Sequence, residues 1–534
     1  MKTLLNIHHA FQRTRRRTIW SIASASVLPV ALLIALTTCS SPTACAMERV
    51  AGQANAANTL NSQSASVPAG LPTHFSFGLM SAPGTSGGMN DMRTRNGTKW
   101  DFRYQYLSAG VNTGNGWATW NSPAGQFATF YMNDSAANGY IPAFVYYMLL
   151  QSNGPGGNGE GGANLAHLNS PSTMSAYYTD WTLLMQKVGA FKKTTLIVVE
   201  PDLWGFMEQS VTHGSNSAAS IPASVASSGN ADAKAYPNNA QGFAWALLHI
   251  RDKYAPNAIL ALHSSAWGSQ IDVATNTDPS LNVANVGARD AQFLRTAGIS
   301  GNPSGVSTFD LVSADIADRD SAQSGTWWDP TNKALPNFSR YLTYATALSS
   351  GVGRSLMLWQ VPVGNQYYDT ENNSAGHTQD NKAQYIVSHI ADFAHAGFIG
   401  TLFGPGNGGT NALDSRNDGV TNPAPISTFQ CNQCNNHTSS YADDDGGYLR
   451  INLGQYYKNG GYALGSSGGA GAPTPTTAPD ATATALAGTP SPAGTGTPSG
   501  LGTPTVAPCA PGTTPGTTPS TAPEGTPPAT KLPA

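Results

Sequence analysis

Leu196-Ile197-Val198-Val199-Glu200-Pro201-Asp202-Leu203-Trp204 sets four apolar residues directly against two carboxylates that flank a proline, with an aromatic residue just beyond. A short apolar run closed by a breaker reads as a β-strand. Pro201 fixes its own φ and offers no N–H, so it ends the strand and holds Glu200 and Asp202 in a rigid relative orientation. A carboxylate held beside apolar groups and Trp204 has its pKa raised, and a general acid near neutrality needs that shift. The plainer reading is a salt bridge or helix cap at the strand end.

Outward from this run, seven others of similar character recur. The set is 74–80, 102–107, 141–150, 195–200, 258–263, 309–314, 356–361 and 398–403. Stretches with helical periodicity fall between or after them, at 172–191, 240–254, 285–297, 335–350, 379–396 and 448–458. In the second of these, Phe243, Leu247, Leu248 and Ile250 form an inward stripe. Strand–helix alternation predicts an α/β fold, and eight strands predict a single (β/α)8 barrel of the TIM type with long loops. The run at 102–107 is short and polar; without it the barrel would be seven-stranded or distorted.

In such barrels chemistry gathers where the strands end. Tyr147 lies near the end of the third run, and the fourth ends at Glu200, Asp202 and Trp204. The fifth ends in His263 and Trp267. The sixth ends in Asp315, Asp318 and Asp320, with Trp327 beyond; the seventh ends in Trp359, Gln360 and Asn365; the eighth leads into Asn407. Carboxylates, amides, a histidine and indoles on one rim suit a saccharide, whose apolar ring faces stack on indoles while its hydroxyls hydrogen-bond. Each of these residues taken alone is as well explained by packing or capping; the convergence makes the argument.

The segment 196–207 resembles the strand of glycoside hydrolase family 6, the inverting cellulases, that carries Ile-Glu-Pro-Asp. The block 257–263, with Trp267-Gly268 after it, is similar to that family's next strand. The resemblance covers about 70 residues and implies that Asp202 is the general acid. Elsewhere the chain departs from the family. Tyr146-Tyr147-Met148-Leu149-Leu150-Gln151 has no acid where the family has a catalytic aspartate, and 404–410 lacks the family's lysine and both acids. Asp318-Arg319-Asp320 echoes a family segment but lies on a different strand. Gln360 closes the seventh run where retaining barrels of the large clan carry a glutamate.

Residues 1–46 read as an export signal: Arg13, Arg15, Arg16 and Arg17, then an apolar run over 27–36, then Ala44-Cys45-Ala46. The run is short of the roughly 20 residues a membrane span needs. Arg16-Arg17-Thr18-Ile19-Trp20 has the form of a twin-arginine signal, with an ordinary basic region as the alternative. Thr38 before Cys39 spoils the lipobox, so an unlipidated secreted protein is expected. Residues 47–70 read as a flexible leader, 71–464 as the barrel, and 465–534 as a disordered tail of Pro, Thr, Gly, Ala and Ser.

With 11% charged residues and a net charge of −3, the chain carries no electrostatic footprint for nucleic acid. Cys431 and Cys434 predict a local disulfide in an oxidising compartment. With His437 they make three zinc ligands, one short of a structural site, so no metal or other cofactor is expected. Asp443-Asp444-Asp445 reads as a cap for the final helix, with calcium as the alternative. His377 and Glu371 lie within a long seventh loop.

Together these residues predict a monomeric secreted hydrolase of a polysaccharide, such as a β-glucan. Asp202 is the expected acid, Glu200 tunes it, and Asp315, Asp318 or Asp320 serves as base. A non-catalytic carbohydrate-binding barrel is the principal rival. A metal-dependent hydrolase built on His263 is a third reading.

Overall fold

Val198 and Val199 end a strand that is buried along its whole length, because helices cover the outer face and packed side chains fill the inner one. The other strands of a closed barrel are buried over most of their length. In the computed structural model, which describes residues 66–81, 89–90, 93–94, 97–211, 217–316, 327–364, 380–405 and 448–465, eight parallel strands pair in chain order and the eighth returns to the first. They are β1 (Ser76–Met80), β2 (Phe102–Leu107), β3 (Ile141–Tyr146), β4 (Thr195–Val199), β5 (Ala258–Ser264), β6 (Leu311–Asp315), β7 (Leu356–Pro362) and β8 (Phe398–Gly404).

The polar second run is a full strand. Phe102 and Tyr104 point into the lumen core, while Arg103, also buried, pairs with Asp134 and lies over the Tyr131 ring. Its polarity is thus neutralised by the helix behind it.

The helices among the described residues are α1 (Gln126–Ala137), α2 (Gly159–Leu168), α3 (Pro171–Phe191), α4 (Pro201–Ser210), α5 (Ala240–Tyr254), α6 (Val283–Leu294), α7 (Phe338–Val352), α8 (Lys382–Ser388), α9 (Ile390–His395) and α10 (Tyr448–Lys458). Side-chain caps begin several of them. Asn239 accepts from Gly242 N at 2.8 Å and Asn337 from Arg340 N at 2.8 Å. Three, α1, α2 and α4, fall where no amphipathic stretch is expected. The single helix expected over 379–396 is two, broken at His389, whose φ of −126° and ψ of 34° are not helical.

Two cores result. One fills the lumen with Phe102, Tyr104, Val145, Leu196, Val198, Ile259, Leu311, Met357 and Trp359; the other lies between strands and helices. Val67, within the expected leader, packs on the lumen core with Leu71 and Leu464, and Leu464 N donates to Thr73 O at 2.7 Å. The signal segment, the tail, Cys431, Cys434, His437 and Asp443–Asp445 lie outside the described residues, as do Asp318, Asp320, Asn365, Glu371, His377 and Asn407.

Candidate active site

At the end of β4 the chain turns from strand to helix within one residue. Glu200 takes a left-handed conformation (φ 41°, ψ 65°), and Pro201 opens α4 at its first position. A non-glycine residue in this region stores strain, which the surroundings must hold in place. They do so through the side chain: Glu200 Oε1 accepts from Met148 N at 3.0 Å and Leu149 N at 3.1 Å, binding the corner to the end of β3. Glu200 is wholly buried. Burial pushes its carboxyl up to about 8 against the opposing pull of those two N–H groups. A neutral carboxyl fits this arrangement, its carbonyl oxygen taking both N–H groups and its O–H on Oε2.

Asp202 has the opposite environment. It stands half-exposed in the first turn of α4, and the Tyr147 hydroxyl lies 3.3 Å from its Oδ2. The same hydroxyl lies 3.0 Å from Glu160 Oε1 on α2. Glu160 escapes a sequence reading because its neighbourhood, Gly154 to Gly162, is glycine-rich and without apolar periodicity. Burial, then the charges of Asp202 and Glu160, raise the Tyr147 phenol well above its ordinary value.

Trp204 is a core residue, which corrects its expected role at the rim. It is 1% exposed, its indole N–H donates to Val199 O at 2.9 Å, and it packs on Phe243 and Phe309. No ring face is left for a ligand. Helical geometry is the reason: Trp204, Met207 and Glu208 share the inward face of α4, and Asp202 lies on another. Trp267 is half-buried against Phe206, at 4.9 Å between centroids.

Across the mouth, Trp359 contacts rings from two sides of the barrel, Tyr106 of β2 at 5.9 Å and His263 of β5 at 5.6 Å. It therefore floors the mouth. Its Nε1 and the Tyr104 hydroxyl are buried and have no hydrogen-bond partner among the described residues. His263 is buried, with Nδ1 3.0 Å from Ser313 Oγ and Nε2 3.9 Å from Asp315 Oδ2. Asp315 ends β6 in register with Trp359 and is 8% exposed. Gln360 follows in a left-handed conformation (φ 54°) at a bulge between β7 and β8 and is half-exposed. Trp327 is half-buried beyond the sixth strand.

The structure thus brings Tyr147, Asp202, His263, Asp315, Trp359 and Gln360 to one end of the barrel and adds Glu160. Among the described residues no three His, Cys, Asp or Glu side chains converge as a metal-ion ligand set. No helix among them is long and apolar enough to cross a membrane.

Neither a family model nor a curated protein matches the chain. Solved structures similar to it include a modular endo-β-1,4-mannanase of glycoside hydrolase family 26 from Cellulomonas fimi (9% identity, 72% of this chain and 70% of that chain, TM-score 0.39). A family 1 β-glucosidase from Thermotoga maritima is another (9% identity, 73% and 99%, TM-score 0.36). The catalytic domain of CcCel6A is a third (15% identity, 44% and 56%, TM-score 0.26). The family 6 resemblance is therefore one likeness among several glycoside hydrolase families, and at these scores none of them carries an argument about the reaction.

Proposed function

We propose that the chain is a secreted glycoside hydrolase acting on a polysaccharide, with a β-glucan as the first substrate to try. The observation that carries the reading is the pairing of Asp202 with Tyr147 on the C-terminal rim, beside a floor made by Trp359 and His263. Asp202 serves as general acid toward the glycosidic oxygen. Asp315 is the described candidate for the base, with Asp318 and Asp320 following it in sequence. Trp359 Nε1 and the Tyr104 hydroxyl, buried beneath the mouth, are donors without a partner among the described residues, an arrangement costing about 1–3 kcal/mol each. An inverting enzyme would hold its two carboxyl groups about 6.5–9.5 Å apart, a retaining one about 5–5.5 Å.

Assay of Asp202→Asn on a panel of polysaccharides tests the assignment. A loss of about 100-fold or more in kcat is expected for a removed acid; a folded variant with unchanged turnover refutes it. Export is tested separately, by sequencing the mature N-terminus of protein recovered outside the cell.

The second reading, a carbohydrate-binding barrel without catalysis, draws on the end of β3, where Gln151 follows Leu150 and no acid stands, and on the acid-free 404–410. Retention of polysaccharide without release of reducing sugar would favour it.

A further inference from the structure

A phenol has one hydrogen, and the Tyr147 hydroxyl faces two carboxyl oxygens. Glu160 Oε1 lies 3.0 Å from it and Asp202 Oδ2 3.3 Å. The O–H can be directed at only one of them. On the other side a phenol lone pair would meet an anionic oxygen, an unfavourable contact unless that carboxyl brings its own hydrogen. Both acids stand in first helical turns, Glu160 of α2 and Asp202 of α4, so helix dipoles do not choose between them. Glu160 Oε1 is the nearer of the two oxygens, and the O–H is directed at it.

We infer that Glu160 and Asp202 hold one acid proton between them across the Tyr147 phenol, which donates to Glu160 and accepts from a protonated Asp202. Glu160 is then the positioning residue that keeps the general acid loaded. When Asp202 delivers its hydrogen to a leaving oxygen, two carboxylates are left around one phenol hydrogen. The charge left on Asp202 is balanced by the proton gained by the leaving group, and a proton from solvent restores the starting state. The inference rests on the reading of Asp202 as the acid and extends it to a residue on a separate helix.

Other titratable groups on the surrounding elements are Glu200 at the end of β4, His167 on α2, Tyr177 and Asp180 on α3, Glu208 at the far end of α4, and His263 on β5. Of these, Glu200 acts on Tyr147 through space. Its own proton is held separately, through burial.

The experiment compares wild type, Glu160→Gln, Glu160→Asp and Tyr147→Phe in kcat against pH and in the infrared titration of the carboxyl band, with Asp202→Asn identifying the Asp202 signal. Glu160→Gln removes the competing anion and frees the phenol hydrogen for an ionised Asp202. The basic limb of kcat and the Asp202 midpoint should therefore both move down by about one pH unit or more. Glu160→Asp keeps the charge and should restore the midpoint even if kcat stays low. Equal midpoints in wild type and Glu160→Gln overturn the inference whatever the change in kcat, because a merely structural Glu160 would scale the rate without moving the titration. If wild type hydrolyses nothing, or Asp202→Asn keeps full turnover, the hydrolase reading fails on its own, and the infrared midpoints still decide the shared proton.

Discussion

Glu200→Gln should make the protein more stable at neutral pH, and progressively more so as the pH rises. Glu200 is buried, and its carboxyl titrates at about 8 in the folded chain against 4.5 for the free side chain. A raised pKa means that the folded state holds its proton while the unfolded chain releases it. The full contribution to stability is therefore present below 4.5, falls as the pH climbs, and is lost beyond 8. Each unit is worth about 1.4 kcal/mol, so the ceiling is about 5 kcal/mol and the deficit at pH 7 is about 3 kcal/mol. Glutamine keeps the geometry without the titration: its amide oxygen accepts from Met148 N and Leu149 N as Oε1 does now. Unfolding entropy of about 2 cal/mol/K per residue over roughly 400 residues converts 3 kcal/mol into a Tm difference of about 4 °C. Calorimetry of both proteins from pH 4 to pH 9 measures it, and the other titrating groups cancel in the difference. A Tm difference that does not change with pH would refute the argument, since it would mean that Glu200 is ionised in the folded state.

The remaining predictions use the same geometry. Trp204→Ala should cost about 3–5 kcal/mol in urea unfolding, as for a large aromatic removed from a core, and leave saccharide affinity of the folded protein unchanged. Glu208 and Asp290 are both buried and adjacent: burial raises both carboxyls, the Asp290 charge raises Glu208 further, and hydrogen bonds from Tyr344, at 2.6 Å from Oδ2, and from Glu208 pull Asp290 back in part. The pair retains a proton, so stability should fall as the pH rises through neutrality, and Asp290→Asn should flatten that dependence in chemical denaturation. Gly189→Ala would place a Cβ 1.8 Å from the Tyr254 carbonyl oxygen where α3 and α5 meet. It should cost at least the 1–3 kcal/mol or so of ordinary overpacking, read as a lower Tm.

Most of the barrel could be read from its apolar runs, because a strand buried on both faces has to be apolar and helices have to follow it. The polar run at 102–107 could be read less well. Arg103 suits a strand only because Asp134 and Tyr131 on α1 receive it, and that partnership spans about thirty residues. α2 was hidden for a different reason: glycines at 159, 161 and 162 carry no apolar period, and one of them is required by space, since a Cβ at Gly161 would fall 2.6 Å from the Phe206 ring. Glu160 rides on that helix, so losing the helix loses the acid. The convergence of Asp202, His263, Asp315 and Trp359 was legible, because strand ends in a closed barrel can only meet at one rim.

The Glu-Pro-Asp corner shows why neighbouring acids diverge. Strand alternation carries Leu196 and Val198 into the lumen and predicts the same side for Glu200. From Pro201 the period is helical, so Leu203, Trp204 and Met207 become the buried set and Asp202 turns toward the mouth. The change of period occurs at the one residue of this corner whose φ is left-handed, and its side chain is spent on two N–H groups of the loop that follows β3. Exposure of Asp202 therefore depends on burial of Glu200. A substitution that cannot occupy the Met148–Leu149 cradle, such as Glu200→Ala, would release the strain at the turn and move Asp202 with it, and its effect on turnover would exceed that of Glu200→Gln although the side chain at position 200 does not touch substrate.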